Sequence, residues 1–211
     1  MSGKQAVIAV LAVMMSILGG SAAAQDEKNE LTGLIGRIFI SDQGIIGATN
    51  ENPVVRSGNG LTFEVNYARR LFGTPVFAIS GEVPAVFNLD EKLGSGDDVV
   101  PKNYQQIFVT PSARLNLFPE TAVSPWVSLG AGFAHFSENK DLLYYGPNPG
   151  TSSTSGVLQG GFGLDVRVLH QFSIRLDVRD FWSGTPNLPL ADTGKTRQHN
   201  YFVGGGVVWH F

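Results

Sequence analysis

From Leu31 to the last residue the chain is built of runs of about 10 to 14 residues in which apolar side chains alternate with small or polar ones. A period of two belongs to a β-strand with two unlike faces, and it excludes helices as the main element. Eight such runs can be read. The clearest is Phe172, Ile174, Leu176 and Val178 against Ser173, Arg175, Asp177 and Arg179; the last is Tyr201, Val203, Gly205, Val207, Trp209 and Phe211 against Phe202, Gly204, Gly206, Val208 and His210. In a soluble sheet the second face meets water and carries many charges. Here it is largely Gly, Ser, Thr and Ala with isolated charges, and lysine is absent from all eight runs. That pattern turns the apolar face outward and places the small residues in a narrow closed interior. About 9 to 11 tilted residues cross a bilayer, so these runs are long enough.

The connections carry an independent signal. Asp42–Asn59, Asp90–Lys102, Ser137–Ser155 and Ser183–Asn200 are long, whereas Leu71–Pro75, Phe118–Pro125 and Leu169–Gln171 are short. Four long loops alternating with three tight turns is the asymmetry of outer-membrane barrels. Aromatic residues gather near the ends of the runs, as interfacial girdles require: Phe72, Phe77, Phe118, Trp126, Phe172 and Trp209 at one end, Phe87, Phe133, Trp182 and Tyr201 at the other. The expected fold is all-β, an eight-stranded antiparallel up-and-down transmembrane β-barrel over residues 25–211. Residues 1–24 read as a signal peptide: Lys4, an uncharged run from Ala6 to Leu18, and small residues Ala22-Ala23-Ala24 before the cut. Composition fits. There is no cysteine for disulfides or thiolate metal sites, and a net charge of −3 argues against nucleic acid as a partner. The 26 glycines follow no collagen period; Gly130, Gly132, Gly161, Gly163, Gly204 and Gly206 fall on the inner face, where they leave room for arginines.

Two segments go beyond periodicity. The chain ends with Val207, Trp209 and Phe211 at alternate positions, which resembles the C-terminal signal read by the β-barrel assembly machinery. Gly161-Phe162-Gly163-Leu164-Asp165-Val166-Arg167, Ser173-Ile174-Arg175-Leu176-Asp177-Val178-Arg179-Asp180-Phe181 and Gly204-Gly205-Gly206-Val207-Val208-Trp209-His210-Phe211 resemble the final three strands of the OmpA-type small barrels. The resemblance implies an integral protein of a Gram-negative-type outer membrane, in contact with its lipids and lipopolysaccharide, monomeric, with both mature termini periplasmic and no cofactor.

Parity assigns Arg37, Arg114, Arg167, Arg175 and Arg179 to the lumen with Glu64, Glu82, Asp165 and Asp177. Near-cancelling charges in a barrel just wide enough for its own side chains predict a paired plug; a narrow ion path is the alternative. Across the Leu169–Gln171 turn, Val168 should face Phe172, Asp165 should face Arg175, and Arg167 should sit beside Ser173. Separately, Gly130-Ala131-Gly132-Phe133-Ala134-His135-Phe136-Ser137 is similar to the outer-membrane lipid A 3-O-deacylases, which use a histidine base and a serine nucleophile on the lipid-facing wall. That resemblance implies His135 and Ser137 as an alternative catalytic pair, although Glu138 stands where the family has the asparagine found here as Asn139. The four histidines are scattered, without metal-ligand spacing. The favoured role is non-enzymatic, envelope stability or surface contact through the loops.

Overall fold

A computed structural model describes residues 28–40, 43–44, 54–57, 60–94, 103–138, 152–185 and 196–211, with backbone alone at 43–44, 54–57, 90–94, 103–104 and 138. The signal peptide expected over residues 1–24 lies outside the described residues. Eleven strands occur there: β1 (Asn29–Ile40), β2 (Gln43–Gly44), β3 (Val54–Ser57), β4 (Leu61–Gly73), β5 (Phe77–Gly94), β6 (Asn103–Val109), β7 (Ser112–Leu117), β8 (Val123–Glu138), β9 (Ser152–Leu169), β10 (Phe172–Gly184) and β11 (Arg197–His210).

Eight staves form the wall, because β6 and β7 are one stave interrupted at Thr110-Pro111 and β2 and β3 are short additions beyond β1. Proline has no N–H for the ladder, which accounts for the break. Every neighbour is antiparallel, and β1 pairs with both β4 and β11, so the sheet closes on itself. Closure removes the free edges that would otherwise template aggregation. The first and last described residues meet at one end, where Asn29 N–H donates to the Phe211 carbonyl and Phe211 N–H to that of Asn29, each at 2.9 Å. The three short turns lie at this same end. At Phe118 the backbone takes a φ of 50°, unusual for a bulky residue; the Phe118 N–H is anchored on the Val76 carbonyl at 2.7 Å, and its carbonyl accepts from Thr121.

Alternation sorts the side chains as the sequence pattern predicts. Ile35, Phe63, Val65, Leu129, Phe162, Leu176 and Val207 stand exposed on the outer face, Leu129 at 76%. Thr32, Thr62, Glu64, Ser80, Glu82, Arg114, Ser128, Arg175, Asp177 and Arg179 turn inward. Two departures have clear physical causes. The β9–β10 turn holds two residues, His170 and Gln171, with Leu169 rather than Val168 opposite Phe172. A register shift between Phe172 and Ser173 takes up the extra residue as a bulge, and Ser173 opposite Arg167 and Arg175 opposite Asp165 follow as expected. Strands β5 and β9 reach 18 residues and β8 reaches 16, more than a bilayer needs, so the staves continue into segments expected as loop.

Candidate functional site: a charged cage beneath an apolar seal

The lumen is layered along its axis. Toward the short-turn end lie Arg114 on β7 and Arg175 and Arg179 on β10, each fully buried. Arg175 binds Asp165 bidentately, Nε to Oδ1 and Nη2 to Oδ2, both at 2.6 Å. This is the cross-ladder pair set by the register. Arg175 Nη2 also lies 3.5 Å from Glu30 Oε2. Arg179 holds Asp177 at 3.0 Å, Glu82 at 2.9 Å and Glu64 at 3.3 Å. Arg114 reaches Glu30 and Glu82, the latter at 3.4 Å, and donates from Nε to Asn116 at 2.9 Å. Asn66 donates to Glu82 Oε2 at 3.0 Å. Charges taken out of water are tolerable only when they are paired; Glu64 has the ion pair with Arg179, although neither of its carboxylate oxygens accepts a hydrogen bond among the described residues.

At the middle of the cage lies Trp126, 2% exposed. The guanidinium carbons of Arg175, Arg179 and Arg114 stand 5.2, 5.3 and 6.0 Å from its ring centroid. The electron-rich ring face is a second counter-pole for these cations. Its position depends on Gly163: a Cβ there would run into the Trp126 ring. At Gly161 an added Cβ would meet Ser128 Oγ and Gln159 Nε2, at 2.7 and 2.8 Å, before Arg179 Cγ at 3.3 Å.

Above the cage lies an apolar band, and beyond it, toward the long loops, the interior is polar again, with Asn88, Gln106, Ser183, Gln198 and Asn200 buried. Leu34, Ile38, Val86, Phe108, Ala134, Phe136, Val157, Phe181 and Phe202 form one buried cluster. Phe108 stacks on Phe181 at 4.6 Å and meets Phe136 edge-on at 6.1 Å. This seal was not expected from a face that reads as small and polar, although parity alone puts Phe108 and Phe202 there. The glycines explain the fit: Gly204 lies under the Phe202 ring, where an added Cβ would clash. Large rings and missing side chains alternate to fill a narrow bore.

Two sequence assignments are corrected. Arg37 lies on the outer face, not in the lumen, because β1 turns Glu30, Thr32, Leu34 and Ile38 inward and leaves the odd-numbered positions outside. Trp126, expected in an interfacial girdle, is inside, since β8 buries its even-numbered residues. Glu30, at the short-turn end of β1, is a further carboxylate of the network, and a run that begins at Leu31 stops one residue short of it. Arg167 is half-buried at the short-turn mouth and donates to the Pro119 carbonyl at 3.3 Å. Glu64, Glu82, Arg114, Asp165, Arg175, Asp177 and Arg179 all lie inside. Val207 and Trp209 are exposed on the outer face, with the Trp209 and Phe211 rings 4.8 Å apart.

His135 and Ser137 share the outer face of β8 near the long-loop end, but they are not joined. His135 Nδ1 instead contacts Thr154 Oγ1 across the ladder at 2.8 Å, and Ser137 pairs in register with Ser152. Asn139 and Pro149 lie outside the described residues. A different serine–histidine contact occurs at the short-turn mouth, where Ser173 Oγ is 2.9 Å from His210 Nε2 and Glu30 Oε1 is 3.8 Å from His210 Nδ1. The adjoining cavity, about 20 Å³, has room for little more than one water, so this contact ties β10 to β11 rather than receiving an acyl group.

With this geometry in place, known structures can be compared. Neisserial surface protein A matches with a TM-score of 0.56 at 11% identity, covering 87% of this chain and 97% of that one. The outer membrane protein OprG from Pseudomonas aeruginosa matches at 0.55 and 12%, covering 87% and 95%. The fold is that of the small outer-membrane barrels. The outer membrane enzyme PagL also matches, at 0.46 and 12% with 83% and 97% covered, a likeness too loose to bear on chemistry. No protein-family model matches the chain, and no curated protein matches its sequence.

Proposed function

We propose that the chain is an integral outer-membrane protein with a plugged lumen, a non-enzymatic envelope component whose long loops face outward for membrane stability or surface contact. The observation that carries this reading is the inversion of the closed wall: arginines and carboxylates inside, bulky apolar side chains exposed outside. Water would disfavour that surface, whereas hydrocarbon accepts it and rejects an open sheet edge. Exposed aromatic residues at both ends, Phe118, Phe172 and Trp209 near the short turns and Phe133, Trp182 and Tyr201 near the long loops, suit two interfaces. In this orientation both mature termini are periplasmic, and Val207, Trp209 and Phe211 are available to the assembly machinery before insertion. The ionic cage below and the phenylalanine seal above argue against the pore alternative.

Reconstitution in planar bilayers tests the plug. A silent membrane, with insertion verified by a heat-dependent gel shift, is the expected result; a steady ohmic current through inserted protein would overturn it. The hydrolase alternative is tested by mass spectrometry of lipid A from cells expressing the protein or Ser137→Ala. Identical lipid A in both, matching cells without the protein, is expected.

A further inference from the structure

The outer wall is not uniform. From β4 to β8 it presents Leu61, Phe63, Val65, Leu115, Val127 and Leu129, all exposed. On the adjoining sector of β1, β10 and β11 it carries charge. Arg197 stands over the exposed Trp182 ring at 4.5 Å. His199 stacks between Trp182 and Tyr201, with centroids 6.2 and 5.8 Å apart, and its Nδ1 lies 2.7 Å from Asp180 Oδ2. Arg37 is exposed on β1, opposite Val203 of β11. Among the described residues neither Arg37 nor Arg197 has a carboxylate partner.

We propose that this sector binds the phosphate-bearing headgroup of a lipid in the leaflet next to the long loops, with Arg197 as the principal ligand and Arg37 as a second. The inference rests on the membrane reading above. A guanidinium on a lipid-facing wall is costly unless it reaches an anion or the headgroup layer. Stacking on Trp182 covers one face of the Arg197 group but leaves its N–H edge free, and that planar fork matches two phosphate oxygens. Asp180, through His199, and the ring stack hold Trp182 and so fix the direction in which Arg197 points; these are positioning residues. Arg37 lies deeper, at the level of Val203, and an arginine side chain is long enough to extend back from there toward the headgroups. Choosing phosphate over a neutral sugar follows from two cations without a carboxylate partner among the described residues and from the stack that covers the faces of Trp182 and His199.

The test uses folded protein in a non-ionic detergent, with native mass spectrometry as readout and lipid A, dephosphorylated lipid A and inorganic phosphate as probes. Lipid A should bind at least about tenfold more tightly than its dephosphorylated form, the scale of one lost charge-assisted hydrogen bond. Arg197→Gln should lose about tenfold, Arg197→Gln/Arg37→Gln more, and Arg69→Gln, on the outer face near the short turns, nothing. A heat-dependent gel shift verifies that each variant is folded. Equal binding of both lipids, an unaffected double variant, or displacement of lipid A by equimolar inorganic phosphate would overturn the proposal. Failure of the wild-type protein to insert into vesicles would instead count against the membrane reading itself.

Discussion

Replacing Arg179 by methionine strips the cage of its most connected cation. Arg179 is within ion-pair distance of Asp177, Glu82 and Glu64. After the change Glu82 keeps Arg114 at 3.4 Å and the Asn66 amide at 3.0 Å. Glu64 and Asp177 keep no ion pair among the described residues, and both are fully buried. Removing one partner of a buried pair costs about 3–5 kcal/mol because the other charge is left uncompensated, while removing the whole set is often neutral. Arg179→Met should therefore destabilise by about 4 kcal/mol, and Arg179→Met/Glu64→Gln/Asp177→Asn should recover most of that loss. The assay is urea unfolding in phosphatidylcholine vesicles followed by tryptophan fluorescence and gel mobility; with a slope of about 2 kcal/mol/M the single variant's midpoint falls by about 2 M. A single variant within about 0.5 kcal/mol of wild type, the range of ordinary surface changes, would refute the reasoning, as would a triple variant no better than the single.

Gly163→Val should displace Trp126 and cost about 1–3 kcal/mol by overpacking, with a changed near-ultraviolet circular dichroism spectrum as its signature. Arg37→Leu should leave stability in phosphatidylcholine vesicles unchanged or raise it by up to about 2 kcal/mol, since a lipid-facing cation is removed, and a loss of several kcal/mol would put Arg37 back in the lumen. Phe108→Ala/Phe181→Ala should cost at least about 3 kcal/mol and admit ionic current across planar bilayers, because two stacked rings leave the seal; a silent but folded variant would show that the cage alone closes the bore.

What the sequence made legible followed from parity. An alternating β10 puts Ser173, Arg175, Asp177 and Arg179 on one face, and Asp165 still faces Arg175 because the bulge at Phe172/Ser173 makes up for a turn one residue shorter than the sequence suggests. Arg37 went wrong for the same reason in reverse: the apolar residues of β1 occupy both faces, with Leu34 and Ile38 inside and Ile35 and Phe39 outside, so alternation gave no direction. Trp126 misled because a tryptophan near a strand end is usually interfacial, and only the three arginines around it, supplied by β7 and β10, show why this one turns inward. The cluster of Arg197, Trp182, His199 and Tyr201 was scattered among charges and girdle aromatics in the one-dimensional view. The β10–β11 register brings it into one stack.

Glu30 sits on the first stave and touches arginines of the fourth and the last but one in chain order, Arg114 of β7 and Arg175 of β10. In an open sheet those strands are far apart, so both cations lack that carboxylate until β1 meets β11. The ion pairs of Glu30 and the closure of the ring are thus coupled, since the pairs are complete only when the cylinder is shut. Such a latch makes the barrel close or stay open as a unit, and it gives the strand made first the last word in holding the cylinder shut.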